Sequence, residues 1–92
     1  MTILDEYTRL HPGSTALYQE SLQTFPSGVT HDVRFLQPFP IYVDRAKGSR
    51  KWDVDGNEYV DYVMGHGALF MGHAHPEITA AVIEQAQKGT HY

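Results

Sequence analysis

The chain has 92 residues, with seven Lys plus Arg against eleven Asp plus Glu, a net charge of −4 and no cysteine. That length suits one small domain with a thin core. The lack of cysteine excludes a disulfide or thiolate-metal staple, and the acidic balance argues against a nucleic-acid surface or a basic membrane helix. The segment from Met1 to Glu6 carries acids where a secretory leader carries bases, and no stretch approaches the ~18 apolar residues of a membrane span, so a cytoplasmic protein is expected.

Taken in order, Thr2 caps a first helix and Asp5, three residues on, completes a capping box. Ile3, Leu4, Tyr7 and Leu10 form its apolar stripe. His11, Pro12 and Gly13 interrupt it, and Ser14 or Thr15 is the expected cap of a second helix carrying Leu17, Tyr18, Leu22 and Phe25. Pro26 disfavours helix at Phe25, so this helical arm, residues 1–25, should end near Thr24. Residues 26–40 read as irregular chain with Gly28, Pro38 and Pro40. Ordered loops of this length are often functional.

Ile41 to Val43 begins a strand, and Lys47-Gly48 turns it into Arg50–Val54. Asp55-Gly56 lies between two alternating runs, which is the pattern of a two-residue hairpin because Gly accepts the positive φ such a turn demands. The second run, Tyr59–Met64, carries large side chains on both faces. Residues 41–64 thus form a three-stranded antiparallel meander. A Gly/His loop follows over residues 65–75. Pro76 then opens a helix that Gly89 stops, with Glu77 in the first turn and Lys88 in the last matching the helix dipole. Ile78, Ala81, Val82 and Ala86 are its expected buried stripe, and Ile83 lies off it. The fold class is α+β. So few elements cannot cover Trp52, Tyr59, Tyr62, Phe70 and Met71 together, and uncovered apolar surface marks an interface.

Several residues have competing readings. His66, His73 and His75 could ligate a metal, but their spacing matches no zinc pattern; a structural role for His73 and His75 at a helix start, satisfying a free backbone N–H, is the alternative. Gly65-x-Gly67 lacks the third Gly of a dinucleotide fingerprint, since Phe70 stands there, and no Gly-Lys-Ser/Thr follows. The loop is therefore either a close crossing of chain over chain or a pocket wall. Arg34 is either a surface residue paired with Asp32, worth little, or a carboxylate clamp exploiting its planar fork of donors.

The order of Asp53–Asn57, Tyr59–Tyr62 and Gly72–Pro76, preceded by Pro26–Val29 and Arg34, resembles the amino-terminal segment of class III aminotransferases, pyridoxal-phosphate enzymes of fold type I with an α/β architecture. The resemblance covers most of the chain, and extends to both the glutamate-1-semialdehyde 2,1-aminomutase and D-phenylglycine aminotransferase groups. The aminomutases usually have Trp where this chain has His66, and the run Gly65–Leu69 is more like the phenylglycine enzymes.

The resemblance implies an amino acid or keto acid substrate, a homodimeric parent and pyridoxal phosphate as its cofactor. It implies Arg34 on the substrate carboxylate, His66 in the pocket wall and His31 at a position that sets substrate preference. It also implies that the catalytic lysine and the phosphate cup lie beyond Tyr92, because Lys47, Lys51 and Lys88 do not stand in the family's lysine context. No catalytic, cofactor-binding or metal residue is assigned within the chain. The chain is then expected to be a fragment that supplies pocket wall and dimer contacts. The alternative is a truncated, non-enzymatic module that binds a full-length subunit.

Overall fold

The structure, a computed structural model, describes residues 1–91. Helices α1 (Ile3–Leu10) and α2 (Pro12–Ser21) are followed by one-turn helices at Pro26–Gly28 and Asp32–Arg34. Strands β1 (Val43–Lys47), β2 (Arg50–Asp53) and β3 (Glu58–Val60) then form an antiparallel sheet in the order β1-β2-β3, and helix α3 (Pro76–Ala86) comes last. The α+β class is the expected one. The backbone divides into two compact units, Met1–Arg45 with Trp52–Glu58, and Ala46–Lys51 with the chain from Tyr59 onward.

In the first unit, α1 starts with the capping box its sequence specifies. Thr2 Oγ1 accepts from the Asp5 amide at 3.1 Å, and the Thr2 amide donates back to Asp5 Oδ2 at 2.7 Å. The second helix departs from expectation. Neither Ser14 nor Thr15 caps it; α2 begins at Pro12, with His11 in the cap position and no capping bond from its side chain. Pro12 suits a first helical position because its missing N–H is not needed there. The work of capping falls to Asp55, which accepts from the Gly13 amide (Oδ1, 2.5 Å) and the Ser14 amide (Oδ2, 3.0 Å).

Asp55 is free to do this because the Asp55-Gly56 hairpin is not a two-residue turn. Residues 54–57 connect β2 to β3. Asp53 organises them: its Oδ1 accepts from the Asp55 amide at 3.0 Å and the Asn57 amide at 2.8 Å. A carboxylate that offers the backbone these bonds competes with the regular ladder. Asn57 Nδ2 in turn donates to the Leu10 carbonyl at 2.9 Å, and His11 Nε2 stands 3.4 Å from the buried Asp53 Oδ2.

The core of this unit is small and half polar. Tyr18 and Phe39 are its buried apolar residues, beside buried His11, Ser14 and Asp53. Ser14 is 0% exposed, and its Oγ accepts from the Tyr42 amide at 3.0 Å. Tyr7 donates to the Phe39 carbonyl at 2.8 Å, and Tyr42 to Ser21 Oγ at 3.0 Å. Buried polar groups of this kind are tolerated because each has a partner. Trp52 is half covered, with the Arg45 guanidinium 4.0 Å above its ring.

In the second unit, β3 ends at Val60, short of the strand expected to reach Met64. Asp61 stops it: Oδ1 accepts from the Val63 amide at 2.9 Å and the Met64 amide at 3.2 Å, turning the chain out of the sheet. Helix α3 ends at Ala86 rather than Lys88, and has no buried residue. The expected buried stripe of Ile78, Ala81, Val82 and Ala86 is exposed. Tyr62 and Phe70 are 92% and 87% exposed, and Met71 is exposed as well. Periodicity identifies an apolar face, not the surface that covers it.

Candidate substrate-binding elements

The first unit carries His31 and Arg34 on one turn. Pro26–Gly28 enters it through two residues with positive φ, Ser27 at 55° and Gly28 at 71°. Gly28 is required here: a β-carbon would lie 2.7 Å from Tyr18 Cε2. At the next turn His31 Nδ1 lies 2.8 Å from Asp32 Oδ1 and 3.3 Å from the Val33 amide, which itself donates to Asp32 Oδ1 at 2.8 Å. Arg34 does not pair with Asp32, contrary to the surface-pair reading. Its Nη1 donates to Thr30 Oγ1 at 2.5 Å, and the residue is exposed. His31 and Asp32 border an open groove of about 640 Å³ walled by Phe25, Pro26, Val29 and Phe35.

The second unit carries His66. Met64, Gly65, His66 and Gly67 have φ of 48°, 61°, 59° and 84°, four consecutive left-handed residues. Such a run is unusual for L-residues, of which Met64 and His66 have no glycine licence. Turn bonds from Gly67 N–H to the Val63 carbonyl (3.0 Å) and from Leu69 N–H to the Met64 carbonyl (3.0 Å) hold it. The loop returns at His73, whose backbone exchanges two 2.9 Å hydrogen bonds with Gly48. His73 Nε2–H donates to Asp61 Oδ2 at 2.5 Å, and Lys51 Nζ stands 3.6 Å from Asp61 Oδ1.

The hydrogen bond from His73, aided by the Met64 and Val63 amides and the Lys51 ammonium, holds the Asp61 carboxyl well below the usual carboxylate range despite its burial. His73 is therefore partnered by a carboxylate, not by a helix-start amide. His75 does not satisfy a helix-start amide either: it precedes α3 with no capping bond from its side chain. A groove of about 290 Å³ runs between the Leu69–Gly72 backbone and Ile78, Val82 and Ile83 of α3.

Three carboxylates have roles that sequence reasoning missed: Asp61 in this loop, and Asp53 and Asp55 in the hairpin and the α2 cap. Their signal was present as acids at the ends of strands and in the turn between them, where a carboxylate can take backbone amides in place of the ladder. Neither groove fits pyridoxal phosphate by its own lining. No lysine or arginine lines either groove; Lys51 pairs with Asp61, and Lys88 with Glu84 at 2.6 Å. Among the described residues no group of three or more His, Asp or Glu could hold a metal ion, and no helix is long and apolar enough to cross a membrane.

Residues 33–92, well over half the chain, match the family model described as aminotransferase class-III. This chain belongs to that family. It is 49% identical over 80 residues to the glutamate-1-semialdehyde 2,1-aminomutase of Thermoplasma acidophilum, an alignment covering 87% of this chain and 19% of that enzyme. It is 51% identical over 82 residues to the aminomutase of Methylacidiphilum infernorum, covering 86% and 19%.

Among solved structures, it superposes on a β-phenylalanine aminotransferase from Variovorax paradoxus with a TM-score of 0.85 at 33% identity, over 96% of this chain and 21% of that one. It superposes equally, at 0.85 and 31% identity, on a glutamate-1-semialdehyde aminomutase from Pseudomonas aeruginosa, over 97% and 20%. The chain thus spans about a fifth of the length of the class-III relatives it matches. The family is one of pyridoxal-phosphate enzymes, and similar structures include a transaminase with that cofactor bound and an aminomutase variant in complex with PMP.

Proposed function

We propose that this chain is the amino-terminal segment of a pyridoxal-phosphate-dependent class III aminotransferase or 2,1-aminomutase that moves an amino group between an amino acid and a carbonyl compound. The parent is a cytoplasmic homodimer. Residues 1–25 act as a helical arm, the 26–40 and 65–75 loops wall the substrate pocket, and α3 with the exposed Phe70 and Met71 packs against the remainder of the enzyme. Arg34 binds the substrate carboxylate, His31 tunes substrate preference, and His66 lines the pocket. Pyridoxal phosphate, when bound by the parent, supplies the electron sink for the chemistry. The lysine that holds it comes from outside this segment.

The observation that carries this reading is the match of nearly the whole segment, at a TM-score of 0.85, to enzymes several times its length. Arg34 supports it: an exposed guanidinium held by one hydroxyl keeps most of its five donors for a carboxylate. The uncovered α3 supports the packing role. The test is to express the full-length protein, saturate it with pyridoxal phosphate, reduce with borohydride and map the labelled lysine. One stoichiometric site outside residues 1–91, protected by an amino acid substrate, is expected. Substrate-competed labelling at Lys47, Lys51 or Lys88 would refute it.

A further inference from the structure

We propose that Asp61 and His73 are positioning residues that clamp the neck of the 61–73 loop and thereby set the path of His66. The inference deepens the reading of that loop as a substrate-pocket wall and rests on it. Six hydrogen bonds converge on the neck. The Asp61 amide donates to the Ser49 carbonyl at 2.8 Å, and Gly48 and His73 are joined by their paired backbone bonds. Asp61 Oδ1 holds the outgoing Val63 and Met64 amides. Asp61 Oδ2 receives the His73 ring, joining the outgoing and returning ends of the loop through one buried carboxylate.

The returning end admits no slack. A β-carbon at Gly72 would stand 3.0 Å from Gly48 Cα and 3.2 Å from its carbonyl carbon and oxygen, all backbone atoms that cannot step aside. Between these fixed ends lie the four left-handed residues, with His66 third. Non-glycine residues stay in that region only when their surroundings over-determine them. The loop's own turn bonds close it locally, but they do not fix where the turn sits. The Asp61–His73 clamp does that, so the direction in which His66 is presented depends on a carboxylate five residues before it and an imidazole seven residues after it.

The experiment uses the full-length protein and the variants Asp61→Asn, His73→Ala and His73→Gln, the last keeping a donor near Nε2. Hydrogen exchange followed by mass spectrometry comes first. The clamp predicts at least tenfold faster exchange across residues 63–72 in Asp61→Asn and His73→Ala, with residues 43–47 and 76–86 unchanged and His73→Gln restored towards the parent. Exchange that is unaltered, or raised evenly across the chain, would overturn the clamp.

Steady-state kinetics per cofactor-loaded site comes second. Asp61→Asn and His73→Ala should raise KM about tenfold, reorder the preference among amino acids of different side-chain size, and change kcat less. A variant with a lowered melting temperature but unchanged KM and preference would show packing alone and overturn the positioning role. An unsubstituted protein inactive on every amino acid and on glutamate 1-semialdehyde would overturn the parent reading, while the exchange measurement would still decide the clamp.

Discussion

Asp55 approaches Gly13 so closely that a β-carbon on residue 13 would lie 2.7 Å from its Oδ1. The small residue lets a carboxylate reach the first amides of α2, where negative charge is favoured by the helix dipole and by the free N–H groups. Gly13→Ala therefore sets two effects against each other. Alanine gains up to ~1 kcal/mol of helix propensity. Displacing the carboxylate weakens its two charge-assisted hydrogen bonds, a loss of about 2–3 kcal/mol taken together. The loss wins, and a destabilisation of about 1–2 kcal/mol is expected in urea unfolding. Asp55→Ala should cost about as much, and the double variant less than the sum, since both remove one interaction. Strict additivity would count against the contact.

A comparison of two glycines tests the crossing of chain over chain. Gly72 has φ 86° and backbone within 3.0 Å of a would-be β-carbon, whereas Gly48 has φ 58° and open space. Gly48→Ala should cost about 1–2 kcal/mol, the left-handed penalty alone. Gly72→Ala should exceed it by roughly 2 kcal/mol or more, because the sheet turn must shift as well. Equal shifts in denaturation midpoint would contradict the close contact.

Asp61 gives stability an acid limb. Its folded carboxyl titrates below its unfolded value of ~3.9. The unfolded state therefore takes up protons first as pH falls, so the stabilisation is complete above about pH 5 and is lost progressively below about pH 4. Its size is on the order of 2 kcal/mol. Urea midpoints between pH 2.5 and 7 should show this slope, and Asp61→Asn should flatten it while lowering stability at neutral pH. A slope unchanged by the substitution would assign the acid limb to other carboxylates.

What the sequence disclosed divides by distance along the chain. The Thr2–Asp5 capping box was legible because both partners lie within one helical turn. The Gly13–Asp55 cap was not, since 42 residues separate its partners and no local rule links them. The strand order was legible from the alternating runs. The early ends of β2 and β3 were not, because Asp53 and Asp61 give the backbone side-chain bonds in place of ladder bonds. Periodicity identified an apolar face on α3 but could not say that the described residues leave it exposed. Arg34, His31 and His66 entered through motif order, and their roles rest on the family likeness rather than on any spacing.

Arg34 can be judged by substrate charge. In the full-length enzyme, Arg34→Ala should lower kcat/KM for an amino acid by about 30- to 1000-fold, equivalent to about 2–4 kcal/mol, while leaving activity on the decarboxylated amine and the cofactor spectrum unchanged. Arg34→Lys should recover little, because an ammonium lacks the bidentate geometry. Equal losses on both substrates would return Arg34 to a role in shaping its loop.

The exposed faces of Tyr62, Phe70, Met71 and α3 make the isolated 92-residue chain adhesive. Sedimentation velocity should show concentration-dependent self-association, with a broad near-ultraviolet circular dichroism melt. A sharp monomer that melts cooperatively would instead favour the autonomous module that binds a full-length subunit.

The cap on α2 also fixes an order of events at the ribosome. The Ser14 amide is made 41 residues before the carboxylate that accepts from it, an interval of roughly 2–8 s at ordinary elongation rates of about 5–20 residues per second. A helix this short, with no side-chain cap of its own, is marginal in water. The nascent arm therefore emerges as a fraying helix and stays so until residues 53–57 follow. The earlier-made helix α2 is completed by the later-made hairpin, not the reverse.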